Sequence, residues 1–216
     1  DVSLSKSHRF ADGKRRIETW LGLRDLAAWR SYGAGIWMEK ARGCRVTRCS
    51  GRGAQNGVLL VDSSRCEVAR NDFSFNSGWG IGLYESSDNA ILSNFADFVS
   101  RPWGGGWGGD AAGLVVVNAS HRNRIIGNSL THGGDGFFLT NLVDLDDLKD
   151  IDDPATGASN DNLIAYNDGS WSPHNAFEAT FSKGNIFLGN IASHSVYGFW
   201  CGFSNESFYF GNEVCD

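Results

Sequence analysis

The sequence predicts an all-β fold, a parallel β-solenoid of about seven coils, and three observations predict it. Short segments recur every 22 or 23 residues, each opening on a small residue followed by an alternating apolar strand. Two columns dominated by asparagine follow at fixed offsets. Glycine supplies 28 of the 216 residues against 3 prolines, a balance that penalises helices and favours tight turns. With 41% hydrophobic residues the chain can build one ordinary core, which excludes a disordered tail.

The segments open at Gly35, Gly57, Gly80, Gly113, Gly136, Ala176 and Gly198, with spacings of 22, 23, 33, 23, 40 and 22 residues. The two long spacings place insertions near 101–111 and 142–158, in loops as repeat proteins require. The first and third residues after each anchor, Ile36/Met38, Val58/Leu60, Ile81/Leu83, Leu114/Val116, Phe137/Leu139, Phe177/Ala179 and Phe199/Cys201, are all apolar and are expected to face inward. A second strand contributes Val46, Val68, Ile91, Ile125, Ile164, Phe187 and Tyr209 as another wall. One such unit cannot bury its apolar face alone, whereas copies stacked about 4.8 Å apart can.

Between the two strands stand Cys44, Cys66, Asn89, Asn123, Asn162, Asn185 and Ser207, and five residues beyond them Cys49, Asn71, Asn94, Asn128, Asn167, Asn190 and Asn212. Stacked amides donate to one neighbouring coil and accept from the other, at about 0.5–1.5 kcal/mol net per bond. Cys44 and Cys66 share a column, so a disulfide is conceivable, but small buried residues are the expectation.

The glycine-hydrophobic strand and the N-x-x-x-x-N turn column resemble the right-handed parallel β-helix superfamily, with the repeats of its NosD-like members. The resemblance covers about residues 35–214. It implies a pectate-lyase-like helix, extracellular or periplasmic and often acting on carbohydrate; the fold alone does not carry function. Copper handling, which the NosD name suggests, finds no support in a chain with one methionine and no His/Cys cluster at ligand spacing.

Residues 1–34 lack the repeat and form an N-terminal cap segment, in which Ile17 to Trp29 reads as a short helix placed to plug the open end of the first coil. The other end, at Val214-Cys215-Asp216, shows no cap, which points to a larger whole with further coils or domains. Residues 1–52 hold 12 Lys/Arg and 5 Asp/Glu, whereas the remainder holds 7 and 20. That acidic body argues against nucleic acid, and no stretch is apolar enough for a membrane span.

Outward positions on the first sheet form two columns, Trp37, Leu59, Gly82, Val115, Phe138, Glu178, Trp200 and Glu39, Val61, Tyr84, Val117, Thr140, Thr180, Gly202. This face is too apolar for plain solvent, so a domain, an insertion or a ligand is expected to cover it. Glu178, between Phe138 and Trp200, is the lone charge of its column and is expected to have a raised pKa, as a general acid needs. Asp135 precedes its anchor by one residue and His174 by two on the next coil, so stacking brings carboxylate and imidazole together. His132 and His194 fall on the same edge. Asp135 and Glu178 are expected to lie about 10 Å apart at the backbone, beyond a retaining glycosidase pair. Ser172-Pro173-His174-Asn175 is similar to the Asp-Pro-His-Asp motif of mannuronan C5-epimerases, but both acid positions are replaced and only His174 carries over.

The insertion around Trp103 and Trp107 sits on a glycine hinge from which both rings could stack on sugar. The longer insertion holds Asp144, Asp146, Asp147, Asp150, Asp152 and Asp153 without the glycine and terminal glutamate of an EF-hand, so no cofactor is expected beyond a weak opening for calcium there. These features support a polysaccharide-processing module of hydrolase, lyase or epimerase type. Asp135, His174 and Glu178 are its acid–base candidates, and Tyr84, Trp103, Trp107, His132, Phe138, Thr180 and Trp200 its substrate contacts. The competing reading is a non-catalytic carbohydrate-binding or structural solenoid domain of a larger exported protein.

Overall fold

A computed structural model describes Leu23 and residues 25–101, 111–141 and 157–216. After a short helix α1 (Leu26–Ser31) the chain alternates long and short strands: β1 (Ala34–Glu39), β2 (Arg45–Thr47), β3 (Asn56–Val61), β4 (Glu67–Ala69), β5 (Trp79–Tyr84), β6 (Ala90–Leu92), β7 (Ala112–Val117), β8 (Arg124–Ile126), β9 (Asp135–Thr140) and β10 (Leu163–Ala165). The last two coils add β11 (Asn175–Ala179), β12 (Ser182–Lys183), β13 (Ile186–Leu188), β14 (Tyr197–Trp200), β15 (Ser204–Asn205) and β16 (Phe208–Phe210). The long strands form one seven-stranded parallel sheet in the order β1-β3-β5-β7-β9-β11-β14, and seven short strands form a second. Each residue therefore pairs with its equivalent one coil on, as Val58 with Ile81, Ile81 with Leu114 and Leu114 with Phe137. This is the parallel β-helix the repeat predicts.

The core between the sheets contains the expected inward columns, with Val58, Leu60, Ile81, Leu83, Leu114, Val116, Phe137 and Leu139 buried against Val68, Ile91, Ile125, Ile164 and Phe187. The final coil departs from this: Cys201 and Tyr209 are exposed because no described coil lies beyond them. The anchor glycines have a steric cause. At the anchor the ladder omits one pair without changing its offset, Ala112 pairing with Asp135 and Leu114 with Phe137. The anchor then faces the core beside its successor, and a Cβ on Gly113 would meet the Gly136 carbonyl at 2.7 Å and Leu130 Cβ at 2.9 Å.

Both asparagine columns are continuous ladders. Asn94 Nδ2 donates to Asn128 Oδ1 (2.9 Å) and to the Val68 carbonyl (2.9 Å), while the Asn94 backbone N–H donates to the same Asn128 oxygen (2.9 Å). Asn128, Asn167 and Asn190 repeat the pattern toward Asn212, and Asn89, Asn123, Asn162 and Asn185 form the parallel file. All five cysteines are free; Cys66 is buried as expected, whereas Cys44 and Cys49 are exposed on the first described coil.

The apolar outward face is covered, and by the chain's own N-terminal segment. Rather than plugging the first coil, α1 lies on this face, its start capped by Asp25 Oδ1, which accepts from the Ala27 N–H at 2.8 Å. Trp29 and Leu23 join Leu59, Val61, Trp79, Tyr84, Val115, Val117 and Phe138 in one buried cluster, with the Trp29 ring 4.8 Å from Trp79 and 5.1 Å from Tyr84. Gly82 provides the seat: a Cβ there would stand 3.1 Å from the Trp29 ring. The residues of the expected helix before Leu23, and Arg24, lie outside the described residues.

Two outcomes follow in equilibrium denaturation. Gly113→Ala should destabilise by about 1–3 kcal/mol through overpacking, whereas Gly43→Ala, at an open position with φ 64°, should cost only about 1 kcal/mol from its left-handed backbone. Trp29→Ala should cost about 3–5 kcal/mol and expose the outward face to a hydrophobic dye.

Candidate functional site

Beyond the cover of Trp29, the outward face of the first sheet turns polar at β9 and β11. Asp135 opens β9 and Asn175 opens β11 in the next coil, His174 precedes β11, and Glu178 projects from its fourth position. Parallel stacking brings these side chains together although 39 residues separate Asp135 from His174. One potential ligand atom from each of Asp135, His174 and Glu178 lies within 4.8 Å of those of the other two.

The hydrogen bonding is tight and incomplete. Asp135 is fully buried; its Oδ1 accepts from the Asn175 backbone N–H (3.0 Å) and lies 3.1 Å from His174 Nδ1. Its Oδ2 is buried with no hydrogen-bond partner, as is Asn175 Oδ1. Asn175 Nδ2 donates to Glu178 Oε2 (2.8 Å) and also approaches His174 Nδ1 (2.9 Å). One ring nitrogen cannot donate and accept at once. When Nδ1 carries a proton, that proton goes to Asp135 and the Asn175 amide serves Glu178.

Burial raises the Asp135 carboxyl above the ordinary carboxylate range, against the lowering effect of His174. The hydrogen bond to Asp135 raises the imidazole, with the Glu178 charge adding to it. His174 is the accessible member, its side chain 41% exposed, while Glu178 is 5% exposed. Glu178 is thus buried, and its carboxylate and that of Asp135 approach within 4.8 Å, because both side chains turn toward Asn175.

The proposed substrate contacts divide. Trp200, 47% exposed, pairs in register with Glu178 and borders the cluster. Thr180 is buried two residues beyond Glu178, its hydroxyl 2.7 Å from that of Thr140. Tyr84 is buried against the Trp29 ring and Phe138 is buried in the same apolar cluster, so neither ring is open to a sugar; the sequence pattern showed that the face is apolar but not what covers it. His132 stacks in an exposed file, 4.5 Å from Phe98 and 5.8 Å from Trp171, rather than on the cluster, because its φ of 57° makes it a corner residue. His194 ends the same file, 3.9 Å from Trp171. Trp103, Trp107 and the acidic insertion lie outside the described residues. Asn175 is the member that sequence reasoning missed as a site residue, although it ends the Ser172–Asn175 string.

Crystal structures of the periplasmic alginate epimerase AlgG are similar in fold. A single-substitution variant superposes with a TM-score of 0.58 at 14% identity over 82% of this chain and 34% of that one. Another AlgG structure superposes with a TM-score of 0.56 at 14% identity, over 83% and 47%. The chain thus spans less than half the length of either, and at this identity the likeness shows the fold alone. No curated protein matches the sequence. Among the described residues no helix is long and apolar enough to cross a membrane. The family described as "Periplasmic copper-binding protein (NosD)" matches residues 22–168, most of the chain and all of the coils that lead up to the cluster, so the chain belongs to the NosD family of the right-handed parallel β-helix superfamily.

Proposed function

We propose that this chain is a carbohydrate-active β-helix module, acting in the periplasm or outside the cell, that processes a polysaccharide by proton transfer at His174. The observation that supports this reading most is the asymmetry of the cluster. A buried carboxylate holds Nδ1 of an imidazole that is itself accessible, so Nε2 is the nitrogen available to take a proton from substrate or return one. Asp135 is then a positioning residue, fixing ring and tautomer. Glu178 supplies the second carboxylate, and Trp200 beside it offers an aromatic plane to a sugar ring.

Within this reading, the geometry supports some reaction types better than others. A retaining glycosidase needs two carboxyl groups about 5–5.5 Å apart on either side of the scissile bond. The separation of Asp135 and Glu178 approaches that value, but Asp135 is fully buried and cannot reach an anomeric carbon. Double displacement by this pair is therefore disfavoured. Proton abstraction and return, the chemistry of a lyase or epimerase, needs only the exposed His174 and a second acid group. The acids missing from the Ser172–Asn175 string find counterparts in Asp135 on the preceding coil and Glu178 on the same strand.

Copper(I), one form of the metal that the family description names, fits these residues poorly. Soft thioether and thiolate donors select copper(I), yet the one methionine, Met38, lies in the core and the cysteines are dispersed over coils one, two and seven. No step here runs through copper.

Turnover on a panel of uronate polysaccharides, alginate included, and neutral glycans tests the proposal. His174→Ala should lower kcat/KM on the responsive glycan by about 10²–10⁴-fold, and Glu178→Gln should also cause a large loss. Unchanged turnover in His174→Ala with the fold intact would overturn the assignment.

A further inference from the structure

We propose that Asp135, His174 and Glu178 form a binding site for a hard or borderline divalent cation such as Mn²⁺ or Zn²⁺, with one nitrogen and two carboxylate ligands. The first observation is the convergence of three ligand-bearing side chains within 4.8 Å, the one such grouping among the described residues. The second, independent of it, is an unmet polar atom. Asp135 is fully buried, yet its Oδ2 has no partner in a protein whose other buried asparagines and serines are largely woven into ladders. A buried carboxylate oxygen left unpaired destabilises the fold, and a cation removes that cost. Asn175 Oδ1, also buried and unpartnered, adds a neutral oxygen at the edge of the same cluster.

His174 Nδ1 and Asp135 Oδ1 stand 3.1 Å apart and share one proton in the metal-free site; a cation taking both atoms displaces that proton, so binding releases it. The donor types set the preference: carboxylates suit manganese and magnesium, imidazole suits zinc, and no sulfur is present to favour copper(I). With both carboxylates ionised and the imidazole neutral, as coordination requires, the three side chains would carry −2, which a divalent ion neutralises. The second shell is built as well, because the Asn175 N–H holds Asp135 and the Asn175 amide holds Glu178.

This inference concerns the residues of the proposed catalytic cluster but needs no turnover, so it stands or falls separately from the polysaccharide reading. After exhaustive chelation, the whole chain is titrated without glycan by calorimetry, and with Mn²⁺ by the electron paramagnetic resonance of the free ion. Saturable binding that is weakened at least 10-fold in Glu178→Gln and in His174→Ala supports the site. In the unaltered protein, Mn²⁺ should broaden the NMR signals of the His174 imidazole before those of His121, a readout that does not depend on a variant folding. Equal affinity in the two variants, absence of saturable binding, a preference for copper(I), or uniform broadening of both histidines would each overturn it.

Discussion

Parallel register is the constraint on which the rest of the structure depends. Every long strand pairs with its equivalent one coil on, so a residue's neighbours are its counterparts 22 to 40 positions away rather than its neighbours in sequence. Two asparagine files lock this register, because each amide is both donor and acceptor and a slip of one residue would leave a column of buried amides unpaired. The anchor glycines impose the same register sterically, since only a hydrogen fits between the Gly113 backbone, the next coil's carbonyl and Leu130.

The cluster is a consequence of that register. Asp135, His174 and Glu178 meet because β9 and β11 are adjacent, and the insertion of about 18 residues between their coils leaves the pairing of Phe137 with Phe177 and Phe138 with Glu178 intact. The outward face is then divided. Toward the N-terminal coils it is closed by Trp29 and Leu23, which turn an apolar sheet into a second small core; at β9, β11 and β14 it bears carboxylates, an imidazole and the half-exposed Trp200. A rigid sheet holding a mostly buried acid pair beside an accessible imidazole is the arrangement that both proton transfer and cation binding require.

Much of this was legible because a solenoid converts sequence period directly into spatial proximity. The anchors, both asparagine files, the inward columns and the approach of Asp135 to His174 all follow from position within the repeat. Three features did not. Trp29 comes from a segment outside the repeat, so the burial of Tyr84 against it leaves no trace in the period. Corners occupied by Phe98, His132 and Trp171 in left-handed backbone carry no glycine signal, so the exposed aromatic file and the displacement of His132 went unread. The close approach of Glu178 to Asp135 depends on rotamers bent toward Asn175, which backbone stacking does not specify.

The most direct measurement is a double-mutant cycle between Asn94 and Asn128, which lie 34 residues apart in sequence and bond through Nδ2 and backbone N–H to one oxygen. With Asn94→Ala, Asn128→Ala and the double variant unfolded in denaturant, ladder stacking predicts a coupling free energy of about 1 kcal/mol or more. Strict additivity would mean that these amides do not touch, and would contradict the register from which the cluster derives.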